Sequence, residues 1–197
     1  MPGSHMFIQS HPAIRPLWLL GLVVCFLIGQ PPYSHANKSQ GIPEYQVKAT
    51  FLLNFSKFVT YPEESFSDSA SEIRICLLGD DPFQGSLEIL VKGEKIQGRS
   101  IKVNYIRDVE KTSECHTLFI SASEQKQIVN IIAYLRNKPI LTVSDIADFV
   151  IRGGMVQFYI LNNNVRFFID PVTISEAKLK VSSRLLQVAN VVGKEVK

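Results

Sequence analysis

The chain has 197 residues, 46% hydrophobic and 20% charged, with a formal net charge of +3. That length accommodates one domain with a sizeable core plus a leader. The near-neutral balance excludes the strongly basic surface that nucleic-acid binding requires, and no nucleic-acid partner is expected.

Residues 17–29, LWLLGLVVCFLIG, form an unbroken apolar run of 13, preceded by Arg15 and by no acid. A bilayer span needs about 20 such residues. Gln30, Pro31 and Pro32 follow, then Ser34-His35-Ala36, with small residues at the two positions a signal peptidase reads. The pattern predicts a cleavable secretory signal peptide over 1–36, with a retained anchor as the alternative reading. Beyond Ala36 the chain carries 20 basic residues against 18 acids, a balance of +2. Residues 37–43 read as a short polar arm and 44–193 as a single domain.

The first predicted element is a helix over 43–60, with Pro43 in its first turn and Pro62 forbidding continuation. Val47, Phe51, Phe55, Phe58 and Val59 recur at helical spacing and form its apolar face. That stripe fits docking on a sheet, or a groove for a partner. After the polar stretch 63–72, Ile73 to Leu78 predicts a buried strand ending at Gly79. Asp81, Pro82 and Gln84 suggest a capped helix start, with Phe83, Leu87, Leu90 and Val91 inward and Gly93 as its end. Strand, glycine and helix in that order resemble a phosphate-binding turn. The stretch GDDPFQG lacks the GxGxxG spacing, however, and its two aspartates repel phosphate.

Arg99 to Ile106 alternates as a strand, with Ile101, Val103 and Tyr105 on one face. Thr117 to Ile120 is a further strand, followed by a second apparent capping box at Ser121 and Glu124. The helix after it presents Ile128, Ile131, Ile132 and Leu135, and Pro139 closes it before a strand over 140–143. Met155–Leu161 and Val165–Asp170 read as a hairpin joined by Asn162, Asn163 and Asn164, since asparagine tolerates left-handed backbone. Val156, Phe158 and Ile160 share one face of the first arm; Val165, Phe167 and Ile169 share one of the second. Two helical stretches close the chain, the second starting at Ser182-Ser183 and burying Leu185, Val188, Ala189 and Val192. Buried strands alternating with amphipathic helices give the fold class: α/β, a mostly parallel sheet flanked by helices, with a C-terminal antiparallel hairpin.

Little in this chain suggests catalysis. Of the 4 histidines only His116 lies beyond the leader. One histidine and two cysteines form no zinc set, and no GxSxG elbow accompanies His116, which reads as structural. Asp145 and Asp148 suit turn capping. No catalytic residue, metal or cofactor is expected. Arg152-Gly153-Gly154 has two readings: a tight hairpin entry that needs only glycine, or an anion site made of two free amides and a guanidinium. Cys76 and Cys115 also have two: a disulfide, favoured by an even count in an exported chain, or a pair of buried thiols packing as small hydrophobes.

Taken together, EYQVKATFLLNFSKFVTYP at 44–62, ICLLGDDPFQGSLEILVKG at 75–93 and ECHTLFIS at 114–121 resemble the YfiR family of bacterial periplasmic proteins. The likeness continues through ILTVSDIADFVIRGGMVQFYI at 140–160, NNVRFFID at 163–170 and SSRLLQVANVV at 182–192. The resemblance implies a periplasmic regulator that binds and represses the periplasmic sensor domain of an inner-membrane diguanylate cyclase. Cyclic di-GMP and biofilm formation fall as a result. It also implies sequestration by an OmpA-like outer-membrane lipoprotein, a homodimer, and a disulfide between Cys76 and Cys115. The partner surface expected on this basis involves Val156, Phe168, Ile174 and Val192 of the hairpin and C-terminal helices. The chain departs from the family pattern in two places. Val150 and Gln157 occupy the region where some members carry a second disulfide, and Phe168 stands where an acid is usual. A second functional reading, motivated by Arg152-Gly153-Gly154, is a periplasmic small-molecule-binding module signalling to another membrane receptor.

Overall fold

The structure is a computed structural model that describes residues 43–193. The apolar leader and most of the 37–43 arm lie outside the described residues. Helix α1 (Glu44–Phe58) is followed by strands β1 (Val59–Thr60), β2 (Ile73–Leu78), β3 (Lys95–Ile96) and β4 (Arg99–Ile106), with α2 (Ser86–Val91) between β2 and β3. Next come β5 (Thr117–Ile120), α3 (Ile128–Leu135), β6 (Leu141–Ser144), β7 (Val156–Leu161) and β8 (Asn164–Ile169). The described chain ends with α4 (Pro171–Glu176), β9 (Lys180–Val181), α5 (Ser183–Val188) and β10 (Asn190–Val191).

Eight strands form one sheet in the order β10-β8-β7-β6-β5-β2-β4-β3. Its centre, β4-β2-β5-β6-β7, is parallel throughout. In sequence rank this is the order 2-1-3-4-5 of doubly wound sheets. The expected hairpin is present, pairing Val156 with Ile169 through to Leu161 with Asn164. Its turn is two residues, Asn162 and Asn163, at φ +49 and +61, the geometry that matches strand twist. The hairpin does not end the sheet, because β10 adds in parallel along Phe168 and Ile169.

The sheet is covered on both faces, as a parallel sheet must be. Ile73, Ile75 and Leu77 face one cluster that includes α1 and α2 residues; Cys76 and Leu78 face the other, beneath Ile128, Ile131, Ile132 and Leu135 of α3. Phe55 is fully buried at the centre of the first layer. Its ring lies 4.8 Å from that of Phe167 and 5.5 Å from that of Phe158.

Several sequence expectations are corrected. The buried face of α1 is Lys48, Ala49, Leu52, Leu53, Phe55 and Ser56, while Phe58 is exposed and Phe51 lies on the flank. Two polar members of the stripe hid it: Lys48 is neutralised by Asp145, and Ser56 bonds Leu52 O and Thr117 Oγ1. Val59 and Thr60 leave the helix to pair with β9. Helix α2 starts only after Gly85, and Gln84 sits at φ +51, so no capping box forms. Asp81 instead closes a turn, accepting from the amides of Phe83 (2.8 Å) and Gly85 (3.1 Å). Ser121 likewise makes no side-chain cap. Tyr105 and Ile160 are exposed despite their patterns, near the ends of their strands. Val188 is exposed too, because the last helix stops there and 190–191 join the sheet.

Candidate interaction surface and polar clusters

The four residues expected at a partner surface divide into two pairs. Val156 and Ile174 are 0% exposed and belong to the core, so no partner reaches them in the folded domain. Phe168 and Val192 are half-buried at the surface. Strand alternation accounts for the split. On β7 the even positions 156 and 158 point inward, and on β8 the odd positions 167 and 169 do. Phe168 therefore lies on the outer face, where its ring stacks on Tyr159 at 4.4 Å. Asn190 on β10 donates its side-chain amide to the Tyr159 hydroxyl. The Val192 amide donates to Ile169 O at 2.8 Å, which fixes the end of the chain along β8. Sequence reading missed Tyr159, although alternation together with the Asn-Asn turn places it diagonally from Phe168.

At the far end of the hairpin, Ile160 and Leu161 are exposed. Ile160 borders a groove shared by Val47 and Phe51 of α1 and by Asn164, Val165 and Arg166. Because β10 covers only Phe168 and Ile169, the outer edge of β8 from Asn164 to Phe167 has no strand partner among the described residues.

The Arg152-Gly153-Gly154 turn is built differently from an amide nest. Its amides are used internally: Arg152 donates to Asp148 O, Gly153 to Val150 O and Gly154 to Phe149 O, at 3.0, 3.1 and 2.9 Å. Gly154 is required for space, since a Cβ there would lie 2.2 Å from the buried Phe149 ring. Gly153 is required for its φ of +101. Only Arg152 keeps free donors.

Cys76 and Cys115 form a disulfide, with Cα atoms 5.8 Å apart. Two other buried polar clusters order the domain. Lys48 of α1, its side chain 3% exposed, pairs with Asp145 at the end of β6 at 2.6 Å, and the Tyr45 hydroxyl donates to the same carboxylate oxygen at 2.8 Å. Burial first, and then the Asp145 bond, push the Tyr45 phenol well above its ordinary value, keeping it a donor. Asp145 thus serves as an ion-pair partner to α1, beyond the turn-capping role expected of it, and Asp148 occupies the left-handed region of the same turn.

His116 is also structural. Its Nδ1 accepts from the Arg74 amide at 3.1 Å, and its Nε2 lies 3.2 Å from Ser65 O. With Nδ1 accepting, Nε2 carries the proton and donates, so both nitrogens are engaged with backbone. The ring stacks on Phe66 at 4.6 Å, and burial pushes its pKa down. Neighbouring Tyr61 is pushed up to about 12 by burial, with its hydroxyl 2.7 Å from Thr117 Oγ1. Among the described residues no cluster of His, Cys, Asp or Glu is placed to hold a metal ion, and no helix is long and apolar enough to cross a membrane.

Comparison with curated proteins returns no match. A family model described as YfiR/HmsC-like matches residues 45–190, which is nearly the whole described domain. With this order of elements and a match of that extent, the chain belongs to the YfiR/HmsC-like family.

Proposed function

We propose that the protein is a periplasmic regulator that binds and represses the periplasmic sensor domain of an inner-membrane diguanylate cyclase. It lowers cyclic di-GMP and biofilm formation, acts as a homodimer, and is sequestered by an OmpA-like outer-membrane lipoprotein. The observation that carries the proposal is the family match over residues 45–190. The disulfide is consistent with export to an oxidising compartment. Binding without catalysis accords with His116, the one histidine among the described residues, having both ring nitrogens engaged with backbone.

The surface residues assigned to this role are Phe168 and Val192, together with Tyr159 beneath Phe168. Aromatic anchors of this kind dominate interface energetics. Deleting the gene is expected to raise cellular cyclic di-GMP, and expression of the exported protein to restore it. Immobilised cyclase periplasmic domain is expected to capture the purified protein, with Phe168→Ala weakening capture while leaving the circular dichroism unchanged. An unchanged cyclic di-GMP level in a deletion strain whose cyclases are intact refutes the proposal.

A further inference from the structure

The crossover from β6 to β7 contains no helix; residues 145–155 turn back directly. Part of the sheet face beside α3 is therefore left without a cover, and a cleft of about 400 Å³ opens there. Its buried apolar lining is Ile132 and Leu135 of α3, Val150 of the turn and Met155 before β7, and the exposed Ile151 also borders it. None is aromatic, so the floor offers aliphatic contact and no ring stacking.

Its polar lining is as extensive as the apolar one, with Arg136, Asn137, Thr142, Arg152, Thr173 and Glu176, and is unequal in charge. Arg136 and Arg152 line the cleft, and neither forms an ion pair among the described residues. Glu176 on the opposite wall is the one acid lining it. Thr142 lies on the β6 side and is 5% exposed. Its Oγ1 accepts from the Met155 amide at 3.1 Å, but its own proton has no acceptor among the described residues. A threonine hydroxyl that accepts one bond is still able to donate one.

We propose that this cleft binds an aliphatic monocarboxylate, its chain on the Ile132, Leu135, Val150 and Met155 floor and its carboxylate held by Arg152 and Arg136. Such a site combines a buried apolar floor with convergent polar groups, the two elements that hold a small molecule and orient it. A monoanion is favoured over a dianion because Glu176 offsets part of the arginine charge. The aliphatic class follows from the absence of aromatic lining. Its lining includes none of Tyr159, Phe168 and Val192, so it is separate from the surface assigned to the protein partner.

The test uses octanoate as probe and octanol as its neutral counterpart, titrated into the processed protein and followed by calorimetry and by amide chemical shifts. Octanoate is expected to bind saturably with a stoichiometry of one, moving the Thr142, Gly153 and Met155 amides. Both arginines are exposed, so R136Q and R152Q are expected to fold normally. Each is expected to weaken octanoate about tenfold, the loss of one charge-assisted contact, while leaving octanol unaffected. Ile132→Trp, which fills the cleft, is expected to abolish binding of both. The proposal is overturned if octanoate does not saturate, or if the R136Q/R152Q double variant binds it as tightly as the parent protein. It is equally overturned if the shifting amides lie outside the cleft.

Discussion

Replacing Lys48 with methionine tests whether a buried ion pair anchors the first helix. Methionine keeps the length and packing of the aliphatic stem and removes only the ammonium. Lys48 is 3% exposed and Asp145 11%, and their charged atoms are 2.6 Å apart. One oxygen of Asp145, Oδ1, already has no hydrogen-bond partner. Without Lys48 the carboxylate is left buried with the Tyr45 hydroxyl alone, and breaking a buried pair from one side costs about 3–5 kcal/mol. The reverse change, Asp145→Asn, is expected to cost less. Lys48 also contacts Glu44 at 2.5 Å, and Glu44 is 46% exposed, so the ammonium keeps a partner. The double variant K48M/D145N removes both charges and is expected to cost less than the sum of the two singles. Urea denaturation followed by far-ultraviolet circular dichroism is the suitable assay. The one tryptophan, Trp18, lies outside residues 43–193, so the described domain has no indole to follow. A K48M cost below about 1 kcal/mol, or strict additivity in the double variant, refutes charge pairing as the reason Lys48 tolerates burial.

Other outcomes follow from single sites. Thiol titration of the oxidised, denatured processed protein is expected to find no free thiol. Cys76→Ser is expected to lose about 4 kcal/mol from the 39-residue loop, plus the cost of a buried hydroxyl, as measured by urea midpoint. Gly154→Ala forces its Cβ into the Phe149 ring and is expected to destabilise by about 1–3 kcal/mol or more; a neutral result in the same assay means that the ring moves freely. His116 has a pKa below its ordinary 6.5, so the unfolded chain takes up the proton more readily than the folded one. Its contribution is therefore present above pH 6.5 and lost as pH falls through the depressed folded value. The melting temperature is expected to drop on acidification from pH 6.5 down to that value, and the drop to shrink in His116→Asn, which does not titrate there.

What could be read from the sequence, and what could not, follows from the range of the interactions. The parallel strands were legible because Ile73–Leu78 and Thr117–Ile120 are short apolar runs between turn signals, and the inward face of α3 because its isoleucines hold one period. The hairpin was legible from Asn162-Asn163-Asn164. The face of α1 was not, since Lys48 and Ser56 look exposed until their partners arrive from 97 and 61 residues away. The apparent capping boxes failed because the capping oxygens and amides are used elsewhere: Asp81 closes its own turn, and the Glu124 amide donates to the Ser121 backbone carbonyl at 2.9 Å. At the candidate surface, Val156 and Ile174 were assigned outward from a resemblance that carries no side-chain direction. The strand alternation that buries Val156 was already present in the pattern. Strand β10 had no such signal, because two residues finding an open edge is a purely tertiary event.

The sheet order bears on where this domain is able to bind anything. In open parallel sheets, ligands sit beyond the carboxyl ends of the strands, where the order reverses. Here the reversal falls between β2 and β5, and the protein fills it with its own loops. Gly79 after β2 sits at φ +90, and a Cβ there would lie 2.3 Å from Ser123 Oγ, while the Asp80 amide donates to that same hydroxyl. Asp80 and Asp81 add negative charge beside it, which opposes the phosphate such crevices commonly hold. With Ser123 occupying the β2–β5 switch point, other features of the sheet become the candidates for binding. Two breaks in regularity supply them: the helix missing from the β6–β7 crossover opens the cleft beneath Arg152, and the short β10 leaves the hairpin partly uncovered at the sheet edge. One is a concave site of small-molecule size, and the other is a free strand edge beside exposed apolar side chains, suited to a protein. That division lets the proposed protein-binding surface and the proposed ligand cleft occupy one small sheet without sharing residues.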